Sequence, residues 1–344
     1  MKKVRLIFCL LLTCVFILGM TACGAPQAAA PAASQSQAAQ QPQASADAPK
    51  AASDETYYTV GMHINLPYWQ DHKKGLEAAA AELGVNAVFT GESGNDAAKQ
   101  IDIFEQVVAK KPAGILVSPI DPEGMIPSIK KAIDAGIPVV TIDSDAENSA
   151  RLCYFGTGNY NAGWAAADIL ANAVGKKGEV GVLTISGVMC LDERQRGFEE
   201  NIKQNYPEMK VVSVQNDEGD PQKAATVTSQ MLQANPNMVG LFGDDAASGV
   251  GAAAALRESN KLGKVKVVAF DKDTAVLDLV ADGTIEATMV QRTFTMSYYA
   301  LKFLYDYNHQ NIKMATDMTG INPLPQQVDT GIIAVGKDEA LKYK

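Results

Sequence analysis

The 344-residue chain is sparing in most of the residues from which metal, redox and nucleic-acid sites are made. It has three histidines (His63, His72 and His309) and five cysteines, with no CxxC pair and no cysteine–histidine cluster at ligand spacing. That excludes a zinc module, a histidine-rich metal centre and a disulfide scaffold. There is no basic tract: 30 Lys and Arg stand against 39 Asp and Glu, for a formal net charge of −9. An acidic balance of this kind argues against nucleic acid as a partner. The only sustained apolar run, from Leu6 to Leu18, falls short of the roughly 20 residues that span a bilayer. What the chain does have is 47% hydrophobic residues, enough for two domains with cores of their own.

The short apolar run follows Lys2, Lys3 and Arg5 and precedes Gly19-Met20-Thr21-Ala22-Cys23. A positive start, an apolar centre and small residues before a cysteine read as a leader that is removed over 1–22. The small residues before Cys23 resemble a bacterial lipobox, with Met20 where Leu is usual, so Cys23 is the expected lipidation site. Residues 24–54 are almost wholly Ala, Gln, Pro and Ser, with no aromatic or β-branched residue to build a core. This composition gives a solvated tether, so 23–56 is taken as a lipidated cysteine plus linker. The expected place is outside the cytoplasm, anchored to the membrane through lipid.

From Tyr57 onward, short β-type runs alternate with amphipathic helical patterns. Strands are expected at 58–63, 86–90, 114–118, 138–142 and 153–156, and the rhythm restarts at 179–185, 210–215, 238–243, 265–270 and 286–290. Leu76, Ala79, Ala80 and Leu83 form a helical stripe that Gly84 ends. Nearly continuous apolar strands such as 265–270 imply parallel sheets covered on both faces. The fold class is therefore α/β, with two Rossmann-like, doubly wound lobes.

Ligands of open α/β sheets sit beyond the carboxyl ends of the strands. In the first series those ends carry His63, Asn65, Asp121 and Asp143, with Tyr68 and Trp69 opening the first helix. In the second they carry Arg194, Asp244 and Asp245, Asp271 and Gln291. Carboxylates, amides and one guanidinium around aromatic rings suit a polyhydroxylated ligand: the polar groups pair with vicinal hydroxyls, and a ring packs on the C–H face of a sugar. Asp121, just before Pro122, reads as a helix cap instead, and His63 is an even choice between a structural role and a ligand contact.

The stretches Asn65-Leu66-Pro67-Tyr68-Trp69, 95–125, AIDAGIPVVTIDSD, GTGNYNAG, RQRGF, VVAFDKD and GTIEATMVQ occur in that order. Together they resemble the ribose-type sugar-binding proteins of ABC importers, which have the type I periplasmic-binding fold, over essentially 57–335. The resemblance implies two lobes joined by a three-stranded hinge that close on the ligand. Lobe 1 is expected at 57–157 plus 292–324 and lobe 2 at 158–291 plus 325–344. It further implies ligand contacts from Asn65, Tyr68, Trp69, Asp143, Arg194, Asp245, Asp271 and Gln291, to which His63 is added. Implied partners are a small sugar or polyol and ABC permease subunits. A monomer without cofactor, metal or catalytic residue is expected.

Ser144 follows Asp143 where ribose binders have Arg, Gly219 takes the place of a second-lobe aromatic, and Asp245 is matched to a common Asn. These departures point away from ribose itself, toward another sugar or polyol; autoinducer-type furanoses and amine-bearing ligands stay open. Asp245 has a helix N-cap as its structural alternative. The Gly156-Thr157-Gly158 turn lacks a third glycine and reads as a crossing between lobes, not a nucleotide fingerprint. The run from Asp143 to Tyr154 lacks the Gly and Glu of a calcium loop. Cys153 and Cys190 are expected as unbridged thiols. A receptor reporting to a chemotaxis or sensor system is the alternative function. A glycoside hydrolase using two aspartates lacks a supporting motif, and the leader stands where a sugar-responsive repressor would have DNA-binding helices.

Overall fold

The computed structural model describes residues 53–66, 68–312 and 324–343. The expected leader, Cys23 and nearly all of the tether lie outside them. Among the described residues, no helix is long and apolar enough to cross a membrane.

The chain builds two parallel-stranded layers. The first has β1 (Thr56–Gly61), β2 (Asn86–Gly91), β3 (Gly114–Val117), β4 (Val139–Ile142) and β5 (Tyr154–Gly156), connected by α1 (Tyr68–Leu83), α2 (Ala97–Ala109) and α3 (Pro122–Asp134). The second has β6 (Gly178–Thr184), β7 (Met209–Asn216), β8 (Met238–Gly243), β9 (Lys266–Phe270) and β10 (Ala287–Gln291), with α4 (Asn159–Val174), α5 (Met189–Asn205), α6 (Pro221–Ala234), α7 (Ala246–Glu258) and α8 (Thr274–Ala281). All ten expected strands are present, and so is the two-lobe α/β architecture. After β10 the chain returns through α9 (Thr293–Asn308), which packs beside α1 and against β3, β4 and β5.

Two further strands close the design. β11 (Gln327–Asp329) pairs parallel with β5 in the first sheet, and β12 (Ile332–Gly336) pairs antiparallel with β10 in the second. The orders are β2-β1-β3-β4-β5-β11 and β7-β6-β8-β9-β10-β12, so both lobes have the same switch point, beside their first strand. The crossings fall at 157–158, at Arg292 and at 330–331. The last lies beyond the expected 324/325 boundary, because a three-residue edge strand of polar composition carries no periodicity to read.

Each sheet is sealed on both faces. Phe104, Ile115, Val117 and Ile129 fill one side of the first sheet; Trp69, Leu76, Leu116 and Leu301 fill the other. In the second, Phe198, Ile202 and Phe242 lie on the α4–α5 side, with Leu241, Leu256 and Val267 on the α6–α7 side. Full burial of one such side chain contributes about 1.5–3 kcal/mol.

Two glycines set the position of α5. A Cβ at Gly163 would lie 1.8 Å from the Arg194 carbonyl oxygen, and one at Gly197 would lie 2.0 Å from that of Tyr160. Only glycine at both points lets α4 and α5 approach backbone to backbone, and that contact fixes where Arg194 starts from.

Candidate functional site

The two sheets present their carboxyl ends to one another, and each contributes an aspartate in the same unusual conformation. Asp143, directly after β4, has φ 63°, and Asp271, directly after β9, has φ 65°. Left-handed backbone is costly for a residue with a Cβ and tolerable for Asp, so each turn needs support, and both are supported alike. The Asp143 N–H donates to the Phe155 carbonyl at 3.0 Å, and its own carbonyl accepts from the Tyr154 hydroxyl at 2.7 Å. The Asp271 N–H donates to the Met289 carbonyl at 2.8 Å, and its carbonyl accepts from Thr288 Oγ1 at 2.6 Å. In each lobe the fifth strand holds the strained aspartate, and the turn throws the carboxylate out toward the other lobe.

The carboxylates have unequal surroundings. Asp143 accepts a hydrogen bond from the Tyr68 hydroxyl at the start of α1, with Ser118 Oγ 3.5 Å from its other oxygen. Burial raises its pKa, opposed by Tyr68, Arg194 and Ser118. Burial and the nearby Asp143 and Asp271 charges in turn lift the Tyr68 phenol well above its ordinary value, so Tyr68 is a proton donor. Asp271 accepts from Gln291 Nε2 at 3.0 Å, and Gln291 Oε1 accepts from Thr157 Oγ1 at 2.9 Å in the first crossing. Burial pushes the Asp271 carboxyl up to about 6, against the pull of Arg194 and Gln291.

Arg194 supplies the positive charge. Its guanidinium lies 3.9 Å over the Phe270 ring, and it donates from Nε to Asn159 Oδ1 and from Nη1 to the Asp244 carbonyl, both at 2.9 Å. Burial opposes its charge, but Cys190, Asp271, Asp244 and Tyr68 hold the proton more firmly still. The side chain is 4% exposed, so it is oriented before any ligand arrives. Beside this group, Lys272 pairs across the cleft with Asp71 on α1. A cavity of about 470 Å³ there is lined by Tyr68, Asp71, Asp271, Lys272 and Gln291.

Tyr68, Asp143, Arg194, Asp271 and Gln291 are thus brought together. Four other expected contacts have different surroundings. Trp69 is 2% exposed, stacks on His72 at 4.5 Å and belongs to the first-lobe core, since it is one helical position away from Tyr68 and faces inward. Asn65 is exposed in the loop before α1. His63 is half-buried with φ 47° and turns that loop, its carbonyl accepting from the Leu66 N–H at 2.9 Å. Asp245 is the N-cap of α7, where Oδ1 accepts from the Ala247 and Ser248 N–H groups at 2.6 and 3.0 Å.

Asp244, set aside in favour of its neighbour, is the residue at the end of β8. It is fully buried, and neither carboxylate oxygen has a hydrogen-bond partner among the described residues. Burial raises its pKa well above the ordinary value, with Asp245 and Asp217 adding to the effect and Thr184 and Arg194 opposing it. Counting from the strand would have found it: Ser118 is the first residue after β3, and Asp244 is the first after β8. Thr157 and Asn159, which orient Gln291 and Arg194, carried no local signal.

Asp121 caps α3 through the Gly124 N–H at 3.1 Å, as expected of a residue before proline. Asp145 forms a buried ion pair with Arg151, so this loop serves a structural role. Cys153 and Cys190 are free thiols. Among the described residues, no group of three or more His, Cys, Asp or Glu is disposed to hold a metal ion.

A family model described as a periplasmic binding protein domain matches residues 57–310. The chain belongs to that family. The expected likeness to ribose-type sugar-binding proteins is borne out. The family is extracytoplasmic, and its members are binding proteins. The ribose import binding protein of Bacillus subtilis is 27% identical over 76% of this chain and 85% of its own length. Among solved structures, an arabinose binding protein from Geobacillus stearothermophilus is 39% identical, with a TM-score of 0.80 over 85% of this chain and all of that one. A sugar-binding protein of a sugar ABC transporter from Bacillus halodurans is 37% identical, with a TM-score of 0.81 over the same shares.

Proposed function

We propose that this family member captures a sugar or sugar-like molecule between its lobes and delivers it to an ABC importer without transforming it. The observation that carries this is the pair of left-handed aspartates, one per lobe, whose carboxylates both feel the Arg194 charge. Paired carboxylates accept from neighbouring hydroxyls, a guanidinium donates to a ring or hydroxyl oxygen, and each charged hydrogen bond is worth about 1.5–3 kcal/mol. Groups divided between two lobes are all satisfied only when the lobes close, so the ligand favours closure by its differential affinity for that state. Tyr68, Asp143, Arg194, Asp244, Asp271 and Gln291 are the proposed contacts; Asp245 acts through the helix it caps. Lipidation at Cys23, a monomeric state and docking to permease subunits complete the reading, supported by the leader pattern and the family.

The test is thermal unfolding and calorimetry of the purified chain with ribose, arabinose, allose, glucose, galactose and simple polyols. A ligand at about 100 times its dissociation constant adds roughly 2.7 kcal/mol of stability. The expected result is a raised Tm with at least one sugar, abolished by Asp143→Ala or Asp271→Ala. A flat response from a folded protein would falsify the simple-sugar reading.

A further inference from the structure

The second lobe contains a buried acid whose side-chain oxygens have no hydrogen-bond partner among the described residues. Asp244 sits at 0% exposure with both carboxylate oxygens unpartnered, and Asp245 Oδ2 beside it is also unpartnered. The single cation nearby, Arg194, bonds the Asp244 backbone carbonyl and reaches the carboxylate only through space, while sharing its charge with Asp143 and Asp271. The groups packed around it are Thr184 at the end of β6, Cys190 and Arg194 on α5, Asp217 after β7 and Asp245 at the head of α7. Asp271 and, from the first lobe, Asp143 and Tyr68 share the same guanidinium. If all were ionised, Asp143, Asp217, Asp244, Asp245 and Asp271 would outweigh Arg194 by several charges in a closed cleft. A buried carboxylate with no hydrogen bond and only a share of one counter-ion takes up a proton instead. The first lobe makes no such demand, since Ser118 stands at the equivalent strand end.

We infer that Asp244 is a carboxylic acid in the sugar-free protein and that solute binding releases its proton. The inference rests on the proposed sugar-binding reading and adds a coupling to it. When a solute hydroxyl donates to Asp244 Oδ, the carboxylate gains the hydrogen bond it lacks. The O–H bond of the carboxylic acid breaks, its proton passes to solvent, and the solute keeps all of its own protons. The stabilised anion then faces the Arg194 charge. The neighbouring acids are consistent with a proton-rich cleft: burial and Asp245 lift Asp217 to about 6, and burial lifts Asp271 to about 6. Affinity therefore rises with pH through the range in which the free protein holds the proton. The slope is about tenfold per pH unit for one proton, levelling off above that range.

Two measurements test this. In the sugar-free protein, the infrared carboxylic-acid C=O band should be present at neutral pH and absent from Asp244→Asn, an isosteric change that keeps the site's shape. The second is calorimetry in buffers of different ionisation enthalpy, using whichever of ribose, arabinose or allose stabilises the protein most. About one proton should be released per sugar bound. Asp244→Asn should bind with no release and a flattened pH slope, and Asp217→Asn should keep both. No infrared band, binding without proton release, or unchanged release in Asp244→Asn overturns the inference while leaving sugar binding intact. If no sugar stabilises the protein, the sugar reading falls and the release step with it, and the infrared band alone then decides whether Asp244 is protonated.

Discussion

The two lobes have one topology and one way of presenting an aspartate, yet they treat the polar groups behind it differently. In the first lobe nearly every such group has a partner. Gln100 on α2 donates to the Gly61 and Ser118 carbonyls at 3.0 and 2.7 Å and accepts from the Ile120 N–H at 2.8 Å, tying the ends of β1 and β3 together. Glu92, after β2, pairs with Lys99. In the second lobe the fourth residue of α6 is Ala224, which cannot make those bonds. Asp217, after β7, leans on Ser248 at 2.6 Å and has acids for neighbours. The first lobe is a finished half-site, whereas the second leaves Asp244 with bonds still to be made. On the proposed reading, a difference of this kind would let one lobe hold a solute in the open state and give the other the energetic reason to close.

Trp69→Ala should produce the largest effect, a loss of about 3–5 kcal/mol in urea unfolding, as for other large core truncations. Sugar affinity should fall far less. If affinity collapses while stability holds, Trp69 faces the solute and the first half-site is not the one described. Next come Asp143→Ala and Asp271→Ala, each expected to weaken binding by roughly 100-fold or more by calorimetry, since each deletes charged hydrogen bonds. Unequal losses would show which lobe carries the grip.

A pH series separates the lobes without a ligand. Burial drives His72, stacked under Trp69, down to about 3. Below about pH 6.5 the unfolded chain therefore takes a proton that the folded chain refuses, and stability falls as pH drops from there toward 3. Asp217 and Asp271, raised to about 6, act in the opposite sense. Their contribution is present below about pH 4 and is lost as pH rises through 6. Thermal melts between about pH 7 and pH 4.5 should thus lose their acid sensitivity in His72→Gln and become more acid-sensitive in Asp271→Asn. Identical slopes in both variants would mean that the lobes do not differ in this way.

Smaller effects sharpen the contrast. Asp245→Ala should cost about 0.5–2 kcal/mol of stability through the lost cap of α7, with a modest change in affinity; a loss as deep as that of Asp271→Ala would make it a direct contact. Lys272→Ala removes the pairing of the lobes through Asp71. Partly exposed pairs of this type are worth about 0–1 kcal/mol, so the expected change is a few-fold faster sugar release, fading at high salt. A salt-insensitive change would point away from the ion pair.

The strands, the helices between them and the two-lobe plan were legible in the order of residues, because they depend on neighbours: alternating apolar runs, a stripe at helical spacing, a glycine stop. Asp143 and Asp271 stand at positions a strand-end count picks out, since in parallel sheets the residue just past a strand faces the ligand side; Tyr68, Arg194 and Gln291 join them only through the folds of α1, α5 and β10. Asp244 was passed over for Asp245 because adjacent aspartates look alike in a sequence. Only the phase of β8 against α7 decides which one caps and which one is buried. Trp69 and Tyr68 differ for a similar reason: consecutive helical positions point in different directions, so one packs in the first-lobe core and the other reaches Asp143. The placement of β11 and β12, and with it the last crossing, came from pairing across the molecule. The site depends on convergence: aspartates 128 positions apart in the numbering (Asp143 and Asp271) share one guanidinium only because the three crossings bring the carboxyl ends of the two sheets together. Local pattern determined the parts, while burial and charge at the contact between lobes, which no stretch of sequence contains, decided what those parts can bind.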